Sequence, residues 1–415
     1  GMRLRRVVLL FYVLSVIAGI VGILAAIHLR GREALLLHSL LFLAAWVIFY
    51  KLGVIREEPG GGQGAAAGGD FPHVPRPASA IQDKSRRGAP PSVNFLFTSV
   101  GRRVSLLQEF RRAAEEMGVH LEIHAVDCQA MAPALQTADK AAIVPPVDSG
   151  AYVGSLLAYC RSHAIHAVFP LIDTELRVLA EAADRFAAIG TRAVISTPEV
   201  IRIASDKVQT KEFLVAHRFL TPRILGPEEL KSPTFPLFMK PKGGSSSLGA
   251  RKVTTPEQWE YYRRTCPDDV VQEFIEGVEY TVDVFADFDG SPLCAVPRRR
   301  HEVRAGEVSK SQTVRNRRIM EESCRLVREL GGCRGMVTIQ CFLTRDDRIV
   351  FIEINPRFGG GVPLSIRAGA DSPKWVLELL LGRRPSATMD AWTDQLFMLR
   401  YDEGIFVLPG DLPRP

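Results

Sequence analysis

The 415-residue chain contains no C-x-x-C pair, and its seven cysteines (128, 160, 266, 294, 324, 333 and 341) are scattered and odd in number. That argues against a disulfide framework and a zinc site and points to reduced thiols. A G-x-G-x-x-G turn is also missing: the turn after the first soluble strand has only Gly101, which speaks against dinucleotide binding. No glycine-rich loop closes with G-K-[ST], so a Walker A loop is excluded. Aromatic residues make up 8% of the chain, and no basic stripe is interleaved with them. The net charge of +6 is therefore a mild bias toward anions, and nucleic acid is not an expected partner.

Long apolar runs, by contrast, are present at one end. Residues 7–29 carry no Asp, Glu, Lys or Arg, and at about 1.5 Å per residue they can cross the roughly 30 Å hydrocarbon layer. A second run, 34–50, is shorter and contains His38 and Ser39. Only Arg30-Gly31-Arg32-Glu33 separates the two. Arg3, Arg5 and Arg6 precede the first run, Lys51 and Arg56 follow the second, and Trp46 and Tyr50 suit an interfacial belt. The expectation is a membrane hairpin over 1–56 with two transmembrane helices. Both outer flanks, and the chain that follows them, then face the cytoplasm from the cell membrane. A single anchor and a cleaved signal are the alternatives. Residues 57–91, rich in glycine, alanine and proline, have no hydrophobic period and read as a flexible linker.

From Val93 the pattern changes to strands alternating with helices. NFLFT (94–98), LEIHAVD (121–127), AAIVPP (141–146), IHAVFPLID (165–173) and AVIST (193–197) read as strands of a parallel sheet. Such a sheet binds ligands at its strands' carboxyl ends, here Thr98–Arg102, Asp127 and Asp173–Glu175. Gly101 can equally be a plain tight turn, Asp173 a helix cap, and Arg102 and Arg103 a solvated face.

A second pattern begins near residue 201. A strand ends in Lys240-Pro241-Lys242, followed by the loop Gly243-Gly244-Ser245-Ser246-Ser247. Lysine beside such a loop suits a phosphate, because glycine lets backbone N–H groups wrap an anion and lysine adds a point charge; a plain linker is the other reading. In VVQEFIEGVEY, a short extended segment after Glu273 can offer its backbone to an adenine edge, and Glu279 can accept bonds from ribose hydroxyls. Residues 337–342 and 348–355 read as a hairpin turned at Arg345–Asp347. Antiparallel pairing then brings Gln340 near Glu353, with Asn355 on the same face. One carboxylate and two amides form an oxygen-only site, which selects magnesium or manganese over zinc and needs phosphates to complete it. Arg357 stands ready to neutralise a transferring phosphoryl group.

Taken in order, the lysine, the Gly/Ser loop, Q-E-F-I-x-G-x-E, the paired strand Gln340 and E-I-N-P-R resemble the ATP-grasp superfamily. They are most similar to its carbamoyl-phosphate-synthetase-like branch, whose relatives include D-alanine–D-alanine ligase and biotin carboxylase. The resemblance implies a parallel-sheet pre-ATP-grasp domain (92–200), a two-lobed ATP-grasp domain (201–384) and a C-terminal strand pair with tail (385–415), an α/β and α+β fold. It implies ATP and Mg²⁺ (or Mn²⁺) as cofactors and an enzyme that joins a small-molecule carboxylate to an amine or ammonia. It implies nucleotide roles for Lys207 and Lys240, with the latter on the phosphates, and a lid over 243–249. Adenine would lie at Glu273, Phe274 and Ile275, ribose at Glu279, metal at Gln340, Glu353 and Asn355, and the γ-phosphate or acyl-phosphate at Arg357. Arg298, Arg299, Arg300 and Arg304, in what reads as a basic connection over 297–314, can bind a substrate carboxylate or be solvated; the family resemblance favours Arg300. A membrane-tethered ATP-binding module without turnover, and a carboxylate or carbamate kinase without an amine step, are the competing functions.

Overall fold

The computed structural model describes residues 91–241, 249–304 and 306–413. The expected hairpin, nearly all of the linker and the loop residues Gly243 to Ser247 lie outside them. Among the described residues no helix is long and apolar enough to cross a membrane.

The first sheet is parallel, with β1 (Ser92–Thr98), β2 (His120–Asp127), β3 (Lys140–Ile143), β4 (Ala167–Pro170) and β5 (Arg192–Ala193) in the order β3-β2-β1-β4-β5. Its central strand is apolar on consecutive residues because helices cover both faces. Phe95 and Phe97 point into one core, Leu96 into another, and all three are fully buried. Each such side chain stabilises the fold by about 1.5–3 kcal/mol. The strands read at 165–173 and 193–197 are shorter than expected. Asp173 already belongs to the helix Asp173–Glu181, and β5 spans two residues. Apolar runs mark burial here beyond the ends of the hydrogen-bonded ladder.

Next come β6 (Leu237–Lys240), β7 (Arg251–Val253) and β8 (Val270–Glu273), a small antiparallel sheet in the order β7-β6-β8. The largest sheet holds β9 (Gly277–Ala286), β10 (Pro292–Arg304), β11 (Glu307–Thr313), β12 (Gly335–Thr344), β13 (Ile349–Asn355) and β14 (Phe397–Leu399), in the order β13-β12-β9-β10-β11-β14. One face packs on the helix Arg317–Leu330, which buries Ile319, Met320, Leu326, Val327 and Leu330. Asn316 caps that helix by accepting from the Ile319 N–H, and Gly331, at φ 60°, closes it.

Two readings are corrected. Residues 297–314 are the paired strands β10 and β11 rather than a basic connection. Among the described residues the C-terminal segment supplies one strand, β14, paired to β11, rather than a strand pair of its own.

The segment after β13 ties the large sheet to the first one. Phe358 is buried against Phe110 and Phe169, with centroids 5.6 and 6.5 Å away. The three glycines that follow leave room for neighbours. A Cβ on Gly359 would stand 2.9 Å from Thr338 Oγ1, one on Gly360 would strike Arg103, and one on Gly361 would strike Arg298 Nη1 and, at 2.7 Å, Val308. Because Arg298 is buried and held, Gly361→Ala is expected to cost about 1–3 kcal/mol by overpacking. The urea midpoint reads this, and an unchanged midpoint would mean that Arg298 yields easily.

Candidate active site

The polar face of the large sheet is set by register. Gln340 pairs directly with Glu353, and Thr338 with Asn355. Directly opposed residues share a face. Ile352 is an extra residue on β13, a bulge beside the cluster. On the other side of β12, Gln340 faces Thr281 and Phe342 faces Glu279. Gln340, Glu353, Asn355, Thr281 and Glu279 therefore converge on one side of three adjacent strands. The side chains of Gln340, Glu353 and Asn355 have no hydrogen-bond or ion-pair partner among the described residues, although Asn355 is buried and the other two are half-buried. Polar groups left this way are costly unless a ligand completes them.

Lys240 ends β6 close to this cluster. Burial holds its ammonium below the usual lysine range, Lys207 lowers it further, and Glu353 pulls it back up. Lys207 opens the helix Lys207–Ala216, which Asp206 caps through the N–H groups of Val208 and Gln209, and its Nζ donates to the Pro241 carbonyl at 2.8 Å. A small cavity lies between Lys207, Lys240, Gln272 and Ile352. Glu279 is pushed up by burial, lowered by Arg300 and raised again by Glu353. Two acids and two lysines in so small a region are the charges that a metal–phosphate complex would balance.

The other expected residues are placed as follows. Glu273 accepts the Arg223 backbone N–H at 2.8 Å, so its carboxylate anchors the chain beside β8. Phe274 and Ile275 belong to no strand, and Lys252 Nζ sits 4.0 Å from the Phe274 ring centroid. Arg300 lies 3.1 Å from Glu279 and donates to Thr281 at 3.3 Å. Arg298 is unavailable to a substrate: it is fully buried in a bidentate pair with Asp283, at 2.6 and 2.8 Å. Arg357 is held by Asp173 of the first sheet's helix through two bonds, Nε at 2.8 Å and Nη2 at 2.5 Å. Asp283 and the Asp173 partnership were missed from sequence. Asp283 had a signal, because it continues the alternation of Glu279 and Thr281; the other pairing joins positions 184 apart.

With this geometry in view, comparison with known proteins is informative. Residues 95–195 match the model of the PylC-like N-terminal domain, and residues 204–361 match the ATP-grasp domain model. Residues 204–361 form an ATP-grasp domain. The formate-dependent phosphoribosylglycinamide formyltransferase of Yersinia pestis (strain Pestoides F) is 26% identical over 263 residues, covering 59% of this chain. The chain spans 65% of that relative's length. Among solved structures, the biotin carboxylase–β,γ-ATP complex from Campylobacter jejuni superposes with a TM-score of 0.58 at 16% identity, covering 73% of this chain and 74% of the other. The L-amino acid ligase from Bacillus licheniformis gives 0.56 at 18%, covering 74% and 77%. These likenesses are ones of fold. ATP-grasp enzymes use ATP with Mg²⁺, and the oxygen donors Gln340, Glu353 and Asn355 fit a hard cation of that kind. Among the described residues no group of three His, Cys, Asp or Glu side chains is placed to hold a metal.

Proposed function

We propose that the protein is an ATP- and Mg²⁺-dependent carboxylate–amine (or ammonia) ligase of the carbamoyl-phosphate-synthetase-like branch. The observation that carries this reading is the set of unpartnered oxygen donors, Gln340, Glu353 and Asn355, gathered on one sheet face within electrostatic reach of Lys240 and Glu279. Lys207 and Lys240 hold the phosphates. The backbone at Phe274–Ile275, braced by Glu273, meets adenine, and Glu279 meets ribose. Gln340, Glu353 and Asn355 would hold Mg²⁺, which would supply positive charge to offset that of the phosphates. Arg300 orients the carboxylate.

A carboxylate oxygen of the substrate attacks the γ-phosphorus, and the bond to the β,γ-bridging oxygen breaks to release ADP. The amine nitrogen then attacks the acyl carbon, loses a proton to solvent and expels phosphate. The protein contributes position and charge, with no covalent enzyme intermediate. Arg357 serves the γ-phosphate and acyl-phosphate by sharing its guanidinium between Asp173 and the incoming oxygens.

The test is ADP release by the full chain with MgATP and a panel of carboxylates and amines. Release should require both substrates, and Lys240→Met should lower it about 10²–10³-fold. Wild-type turnover in that variant would remove the assignment. The bidentate Asp173–Arg357 pair favours one alternative, a binding module in which Arg357 is purely structural; it predicts nucleotide binding without ADP release. A kinase would release ADP with a carboxylate alone and accumulate the phosphorylated product. The apolar runs 7–29 and 34–50 support a tether that holds this chemistry on the cytoplasmic side of a membrane. Co-sedimentation of the full chain with lipid vesicles, lost in a chain of residues 86–415, tests the tether.

A further inference from the structure

A cavity of about 860 Å³ lies away from Lys240. Its walls come from the segment after β1, Gly359–Gly360, the start of β11, and β14 with the residues after it. Its charges are unevenly matched. Arg367 pairs with Glu109 at 2.5 Å and Arg304 with Asp402 at 3.4 Å. Glu403 is exposed at the rim beside the Tyr401 hydroxyl. Arg102, Arg103 and Arg400, from two distant parts of the chain, share a single carboxylate, Glu307, at 3.6, 3.0 and 3.1 Å. Three guanidiniums against one acid leave two positive charges.

The crowding is visible in the groups themselves. Arg103 is pulled below the usual arginine range by burial and by Arg357 and Arg400, against the opposing pull of Glu307. Burial raises Glu307, but the three arginines hold it below the ordinary carboxylate range. Beside it, Leu396, Met398 and Leu399 give the cavity an apolar wall.

We infer that this cavity is a subsite for a small molecule with a dianionic head, a phosphomonoester or a dicarboxylate, and that Glu307 is the resident counter-ion which sets how tightly that head is held. The head binds Arg102 and Arg400, the more accessible of the three arginines, and Arg103 completes the charge. That the ligand is a reaction partner rests on the ligase reading above; the binding does not.

The experiment is calorimetric titration of the full chain, without nucleotide and at low salt, with inorganic phosphate, succinate and glycinamide. One or both dianions should bind and glycinamide should not; the preferred dianion identifies the head. Arg400→Met should weaken dianion binding about tenfold or more, the scale of a lost charge-assisted hydrogen bond. If that variant fails to fold, the more exposed Arg102→Met takes its place. Glu307→Gln should tighten binding about tenfold, whereas a merely structural Glu307 predicts weaker binding. Lys240→Met should leave dianion affinity unchanged. Weaker or unchanged binding in Glu307→Gln overturns the inference. So does loss in Lys240→Met with retention in Arg400→Met, which would put the anion in the nucleotide site. Dianion binding that behaves as expected without any ADP release would instead sink the ligase reading and leave the subsite standing.

Discussion

Glu353→Ala is expected to lower substrate-dependent ADP formation about a thousandfold, corresponding to several kcal/mol of transition-state charge left unbalanced. The same substitution should leave the fold about as stable as before. The carboxylate is half-buried between Ile352 and Ile354, has no hydrogen-bond or ion-pair partner among the described residues, and raises Glu279 through like-charge repulsion. Removing it relieves that repulsion and gives up the attraction to Lys240, two opposed contributions that leave the net change small. A structural acid behaves in the opposite way, so activity and melting temperature measured on one preparation separate the two roles. Loss of both together would make Glu353 part of the scaffold. Glu353→Gln keeps the shape and an oxygen donor but removes the charge, and should fall between the wild type and alanine. Chelation of divalent metal should reproduce the alanine phenotype in the wild type, with activity restored by Mg²⁺ or Mn²⁺.

The functional face was legible in the sequence wherever side chains alternate around a recognisable turn. Arg345-Asp346-Asp347 marks a hairpin that brings Gln340 close to Glu353, although counting outward from the turn alone pairs Gln340 with Ile352; the bulge at Ile352, which no local pattern marks, sets Gln340 directly opposite Glu353. The first sheet was legible for a similar reason, because its strands are short apolar runs separated by helical periods. The β10–β11 hairpin was not. Its buried residues include Arg298, Ser309, Ser311 and Thr313, so one face of the ladder is polar inside as well as outside, and composition alone suggests solvent. A buried arginine becomes readable only when its acid is known, and Asp283 lies on the neighbouring strand. The same limit hides the Asp173–Arg357 pair and the convergence on Glu307. These depend on segments from opposite parts of the chain coming together, which no local pattern encodes.

The buried pair behind the site predicts the largest loss of stability. Asp283 and Arg298 are each 1% exposed. Asp283 accepts two bonds from Arg298, one from Ser365 at 2.5 Å and a longer one from Thr338 at 3.5 Å, so β9, β10, β12 and the helix Val362–Arg367 meet at one carboxylate. Among the described residues Arg298 Nη1 already lacks a partner. Asp283→Ala would leave the whole guanidinium buried and uncompensated, at a cost of about 3–5 kcal/mol. The melting temperature should fall by roughly 10 °C or more. The double change Asp283→Leu with Arg298→Met should recover most of that loss, because an apolar pair of similar volume avoids the desolvation of both charges. A loss below about 1 kcal/mol in the single variant, the level of an exposed salt bridge, would show that water reaches the pair. The position of the pair gives it a second consequence. Thr338 bonds both Asp283 and the carbonyl of Arg357, so loosening Asp283 also loosens the segment that carries Asn355 and Arg357. The double variant should therefore regain stability without regaining full turnover, since its apolar side chains cannot hold the Thr338 hydroxyl.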